Sequence, residues 1–169
     1  SHMRTNVEGI YAIGDVTGRY LLAHVAMAQA IVAVENIAGM HTEMDYRAVP
    51  RCIYTQPELA CVGLTEEEAR SAGIEIKTYR FQVSRSGRAL AMGERFGLAK
   101  MICRSEDDVI VGFHLLAPHA SELIAEACLA VSQEVSAKEL AHLIHPHPTL
   151  SEILWESAQG IIGRPLHGD

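Results

Sequence analysis
LAKMICRSEDDVIVGFHLLAPHASELIAEACLAVSQ, residues 98–133, decides the fold class. Leu98 to Cys103 and Val109 to Leu116 are runs of β-formers on either side of the acidic Ser105-Glu106-Asp107-Asp108, which predicts a hairpin turning on that tetrapeptide. The period then changes. From Ser121 to Gln133 the residues Leu123, Ile124, Ala127, Cys128 and Val131 share one stripe at helical spacing, as a helix lying on a sheet requires.

Upstream, Arg51 to Gly63 reads as two short strands about a turn at Pro57, and Thr65 to Ala72 as a helix with an S/T-x-x-E cap, ended by Gly73. Ile74 to Val83 sets Ile74, Ile76 and Thr78 against Glu75, Lys77 and Tyr79, a half-buried strand, and Ser84 to Gly87 reads as loop. Downstream, Ala137 to Ile144, behind a second such cap at Ser136, and Leu150 to Ile161 are further helices. Strands followed by helices, without strict alternation, indicate an α+β fold: a mostly antiparallel sheet with helices massed on one face.

The first forty residues have a different texture. Val7 to Ile13 is rich in β-formers and stops at Gly14-Asp15, the pattern of a buried strand ending at a turn. From Leu21 to Ala38, 14 of 18 residues are apolar and cover nearly every helical face, so this helix calls for burial all round, with Gly39 closing it. Its run is broken by His24, Gln29, Glu35 and Asn36, which argues against a membrane span. Ser1-His2-Met3 reads as an expression-vector scar.

Composition bounds the partners. With 35 charged residues in 169 and 49% hydrophobic residues, the chain is an ordinary globular protein, long enough for one real core. A net charge of −7 disfavours nucleic acid and anionic membrane, since both need a basic footprint. Cys52, Cys61, Cys103 and Cys128 are scattered, with no spacing that makes a redox pair or zinc knuckle, and suggest reduced thiols in a cytoplasmic compartment. Cys61, Cys103 and Cys128 sit in apolar surroundings and are expected in the core.

Chemistry concentrates in His145-Pro146-His147-Pro148-Thr149-Leu150-Ser151-Glu152. Each proline biases the preceding histidine away from the α region, so both imidazoles sit on an extended segment before a helix that starts near Leu150. Thr149 and Glu152 again have capping-box spacing. Glu152 is therefore either one more cap or the carboxylate that fixes the tautomer of His147 for acid/base work, and the two roles are compatible. His142, His145 and His147 could in principle hold a metal, but the prolines keep their rings from converging, and no metal site is expected. His114, His119 and His167 read as surface or boundary residues, and Trp155 as a packing residue.

This octapeptide resembles the His-x-His-Pro-Thr-Leu-Ser-Glu signature of the dihydrolipoamide dehydrogenase family of flavoprotein disulfide oxidoreductases. Two further stretches are similar to that family: Thr5 with Ile10-Tyr11-Ala12-Ile13-Gly14-Asp15 looks like its second FAD-binding motif, and Thr55 to Gly63 like the opening of its interface domain. The resemblance implies residues 4–44 as a remnant of an FAD-binding domain and 45–169 as an interface, or dimerisation, domain. It implies that Asp15 accepts a hydroxyl of the FAD ribityl chain, although Gly-Asp is also a common turn pair. It further implies that the backbone of Leu21, Leu22, Ala23 and His24 approaches the flavin, and that His147 and Glu152 are the acid/base pair serving the partner subunit of a homodimer.

In that family FAD and NAD are the cofactors, and a lipoyl-bearing protein of a multienzyme complex is the substrate partner. The chain lacks a G-x-G-x-x-G, a Cys-x4-Cys pair and a second dinucleotide fold, so it looks like a truncated C-terminal fragment, inactive and colourless by itself. The alternatives are a non-catalytic dimerisation or scaffold domain, or the same domain of a mercuric or glutathione reductase. Leu150 and a tail without cysteines favour the dihydrolipoamide branch.

Overall fold
The computed structural model describes residues 1–168, which divide into two compact units, Ser1–Tyr46 and the chain from Arg47 onward. In the first unit the expected strand over 7–13 does not form. Gly9 takes a left-handed conformation, and the Thr5 hydroxyl accepts the Val7 N–H at 3.1 Å and donates to the Ile10 carbonyl at 3.0 Å. The β-formers therefore lie in a turn closed by a single Arg4–Tyr11 bridge, because β-propensity supplies no partner strand. Gly14–Thr17 is a 3-10 turn.

Helix α1 spans Ala23–Ile37, slightly inside the expected limits. It ends in a Schellman motif on Gly39, whose N–H reaches the Asn36 carbonyl while the Met40 N–H reaches that of Glu35. Burial on all sides is not realised: Val25, Gln29, Val32, Ala33 and Asn36 are buried, whereas Met27, Ile31, Val34 and Ile37 are exposed. Two of the four polar residues that interrupt the apolar run, Gln29 and Asn36, are tethers. Gln29 Oε1 accepts the Gly14 N–H at 2.6 Å and its Nε2 donates to the Tyr46 hydroxyl, while Asn36 donates to the Val32 and Thr42 carbonyls.

The second unit is built on β1 (Arg51–Ile53), β2 (Glu58–Gly63), β3 (Ile76–Gln82), β4 (Leu98–Arg104) and β5 (Ile110–Ala117), in the order β1-β2-β5-β4-β3 and antiparallel throughout. The registers Ala60↔Leu115, Val62↔Phe113, Met101↔Phe113 and Phe81↔Ala99 put one buried set on a single face. Helices α4 (Ala120–Ser132) and α6 (Glu152–Ile161) cover that face, α4 on β2 and β5 and α6 on β3 and β4, with α5 (Ala137–His142) against α6. On the other face α2 (Glu66–Ser71) meets β3, and Glu66 takes Lys100 at 3.0 Å and Arg80 at 3.3 Å. The α+β architecture with helices massed on one face is as expected.

Two local readings are corrected. The stretch 84–87 is not plain loop: a 3-10 turn at Val83–Arg85 leads into α3 (Gly87–Ala91), with Ser86 Oγ accepting the Ala89 N–H. Five residues are too few to print a helical period. Helix α6 starts at Glu152, not Leu150, with Ser151 as its N-cap, while the Thr149 hydroxyl donates back to the Pro146 carbonyl at 2.7 Å. At the sheet centre β4 and β5 slip register between Ile102 and Cys103, and Gly63, at φ +72°, faces the Val111 carbonyl so closely that a Cβ would overlap it.

Close packing seats α6 on the sheet. Ile153, Leu154 and Ala158 are fully buried, and Gly160 lies against the Tyr79 ring of β3 with no room for a Cβ. In an open helix Gly→Ala is stabilising. Here Gly160→Ala is expected to reverse that sign and cost about 1–3 kcal/mol by overpacking, read from urea unfolding. The α2 cap is a complete box: Thr65 accepts the Glu68 N–H, and Glu68 accepts the Thr65 N–H at 2.8 Å. Those hydrogen bonds from Thr65 hold the Glu68 carboxyl below its ordinary 4.5, so its stabilisation is present above that value and is lost as pH falls through the lowered folded one. Thr65→Ala should cost about 1 kcal/mol at neutral pH, with the gap to the parent narrowing on acidification.

Candidate active site
Between the end of α5 and the start of α6 the chain runs as an irregular segment carrying both histidines of the octapeptide. His145 points inward, its side chain 5% exposed, and its Nε2 meets Glu126 Oε1 of α4 at 2.9 Å. His147 faces the other way. Its side chain is 71% exposed, and its Nδ1 lies 2.8 Å from Glu152 Oε1 in the first turn of α6. A carboxylate only accepts, so Nδ1 carries the proton of this bond and Nε2 is left on the open side of the ring, an acceptor when the imidazole is neutral.

Glu152 serves two donors. While Oε1 takes the imidazole, Oε2 accepts the Thr149 N–H at 2.7 Å, so half of the expected capping box is present and the dyad with it. Burial pushes this carboxyl up, but the Thr149 N–H, the His147 hydrogen bond and the charges of His147 and His167 outweigh it and leave it below the usual carboxylate value. Behind the dyad, Trp155 Nε1 and Gln159 Nε2 both donate to the Ala141 carbonyl, at 3.0 and 2.8 Å, bolting α6 to the end of α5. Trp155 thus packs, as expected.

The dyad opens on a cleft of about 210 Å³ whose other wall is Phe81, Arg85, Ser86 and Leu90. Two of its residues escaped the sequence reading. Glu156, one helical turn beyond Glu152, is a buried carboxylate, and His167, read as a boundary residue, pairs with it through Nδ1 at 2.6 Å. The i,i+4 spacing of the two glutamates was the available signal for Glu156.

The remaining candidates lie in the first unit. Asp15 is exposed on the Gly14–Thr17 turn, and α1 begins after Leu22 with no side-chain cap, leaving Leu21, Ala23 and His24 exposed at its start. Among the described residues no group of three His, Cys, Asp or Glu side chains could hold a metal ion, and His145 and His147 turn to separate carboxylates. All four cysteines are free. Burial pushes the Cys52 thiol up, that of Cys128 to about 11 and that of Cys103 to about 12, which makes these three poor nucleophiles. Cys103 is in the core as expected, whereas Cys61 and Cys128 are only half-buried.

Comparison with known proteins gives this geometry its context. Residues 49–158 match the dimerisation domain of the pyridine nucleotide-disulphide oxidoreductases, and residues 1–30 match a second family model of the pyridine nucleotide-disulphide oxidoreductases. The dihydrolipoyl dehydrogenase of Chlamydia muridarum is 48% identical over 167 residues, covering 99% of this chain and 36% of that protein. That of Thermus scotoductus is 47% identical over 167 residues, with the same coverage, 99% and 36%. Among solved structures, LpdA from Mycobacterium tuberculosis superimposes with a TM-score of 0.88 at 33% identity, over 94% of this chain and 35% of its own. The HOCl-induced flavoprotein disulfide reductase RclA of Escherichia coli, as its Cu(II) complex, does so with a TM-score of 0.84 at 28% identity, over 95% of this chain and 37% of its own. The chain spans about a third of the length of the curated relatives it matches. On the match of its sheet and covering helices to the dimerisation domain, the chain belongs to the pyridine nucleotide-disulphide oxidoreductase family.

Proposed function
We propose that this chain supplies the dimer interface and the acid/base pair of a dihydrolipoyl dehydrogenase, which oxidises dihydrolipoamide through a redox disulfide and FAD to NAD. The observation that carries the reading is the His147–Glu152 dyad: an exposed ring whose Nδ1 is engaged at 2.8 Å and whose Nε2 is open, in a chain where burial holds three of four thiols protonated. A dithiol is a weak nucleophile until it loses a proton.

His147 Nε2 takes the proton of a dihydrolipoyl thiol, and the thiolate attacks one sulfur of a disulfide contributed by the partner subunit. The S–S bond breaks as the mixed disulfide forms, and the displaced sulfur leaves as thiolate. Glu152, held ionised by Thr149 and His147, supports the imidazolium and keeps its ring in place. FAD, when bound, supplies the electron acceptor for the reduced thiols. The residues of the first unit fit it: the exposed Asp15 carboxylate can accept a hydroxyl hydrogen bond, and Leu21, Leu22, Ala23 and His24 lie at the start of α1, whose N-cap residue makes no side-chain cap and whose positive dipole end suits electron-rich ring atoms. NAD is assigned to no residue of this chain.

A second copy of the chain is the partner that completes the site. Exposed Leu129, Leu143 and Ile144, the last 94% exposed, lie on α4 and on the loop that carries the dyad, and support a homodimer through that side. The substrate is borne on a lipoyl-bearing protein of a multienzyme complex. Free thiols fit a cytoplasmic setting, and among the described residues no helix is long and apolar enough to cross a membrane.

In the complete flavoprotein, His147→Gln is expected to slow dihydrolipoamide oxidation by about 10²–10⁴-fold with flavin absorbance intact; unchanged turnover removes the proposed base. Sedimentation of this chain at tens of micromolar should give a dimer. Ile144→Asp should shift it towards monomer without loss of helical signal, and a parent protein that sediments cleanly as monomer sinks the proposed interface.

A further inference from the structure
The Glu156–His167 contact has no part in the proton transfer assigned to His147, yet it lines the same cleft as the dyad. Glu156 is 3% exposed, and it takes donors from the tail beyond α6: His167 Nδ1 at 2.6 Å, the Leu166 N–H at 3.1 Å and the His167 N–H at 3.4 Å. A buried carboxylate without such partners carries a large desolvation penalty, so the tail is anchored there. Two further contacts hold it: Arg85 donates to the His167 carbonyl at 3.4 Å, and Gly168 lies against the Tyr79 hydroxyl with no room for a Cβ. The anchored imidazole lines the same cleft as Glu152, bonded to the carboxylate one helical turn beyond it.

We propose that His167, held by Glu156, is a positioning residue for the His147–Glu152 dyad: it walls the cleft beside the dyad and, when protonated, supplies a cation that keeps Glu152 an acceptor for the His147 ring. The inference rests on reading His147 as the base. Among the described residues, the titratable and charged groups lining the cleft about Glu152 are His147 from the loop, Glu156 from the same helix, His167 from the tail and Arg85 across the cleft. Two carboxylates one turn apart repel, and each is answered by its own imidazole. The positive charge of His167 is among the causes that lower the Glu152 carboxyl, behind its hydrogen bonds and against its burial.

The test needs no turnover. Glutamate side chains of this chain are labelled at Cδ, the Glu152 signal is assigned by its loss in Glu152→Gln, and its titration midpoint is followed by NMR. His167→Gln should raise that midpoint measurably, since it removes a cation from the cleft that Glu152 lines. His167→Arg, which keeps the cation, should leave it near the parent value. An unchanged midpoint in His167→Gln, or an equal rise in both variants, overturns the proposal. Because the readout is a carboxyl titration, its failure is separate from failure of the acid/base role, which turnover of His147→Gln decides.

Discussion
Everything in the candidate site hangs on the seating of α6 against the sheet. One face of this helix is committed to the core through Ile153, Leu154 and Ala158, and Gly160 meets the Tyr79 ring where any larger residue would push the helix away. With that face fixed, the rotation of the helix is fixed as well, and Glu152 and Glu156 must emerge on the same side, one turn apart. The octapeptide before the helix then has little choice about where its second imidazole lands.

The electrostatics are set by that placement. A helix that presents two carboxylates to one cleft needs donors brought to them, and the fold brings two imidazoles from opposite directions, His147 from the loop before the helix and His167 from the tail after it. A third such pair, His145 with Glu126, ties the same loop to α4. The loop is therefore clamped by one buried histidine and presents the next one outward. An inward and an outward ring two residues apart show that the prolines between and after them turn the chain, since strict alternation along an extended strand would put both on one face.

How much of this was legible in the chain depended on whether a local pattern had a tertiary partner. Residues 98–116 were legible because two runs of β-formers flank an acidic tetrapeptide that belongs in a turn, and the capping boxes at Thr65 and Ser136 because a cap is settled within four residues. Val7 to Ile13 misled because its β-formers are spent in a turn, and α3 escaped because five residues hold no period. The dyad was legible from spacing together with a family signature, although the spacing alone fitted a cap, and half a cap is present too. His167 was not, since it lies eleven positions from Glu156, beyond the turn at Gly163 that ends the helix. Cys52 and Cys61 likewise fall on paired strands that no spacing rule connects.

The double use of Glu152 bears on how relatives of this chain are to be compared. One oxygen fastens the backbone at Thr149 and the other steers a ring, so selection for folding alone is enough to retain an acid at this position after activity has decayed. A degenerate descendant is expected to keep its glutamate longer than its histidine, because the exposed imidazole at 147 has Glu152 as its one hydrogen-bond partner among the described residues and, on the proposed reading, owes its place to the acid/base role.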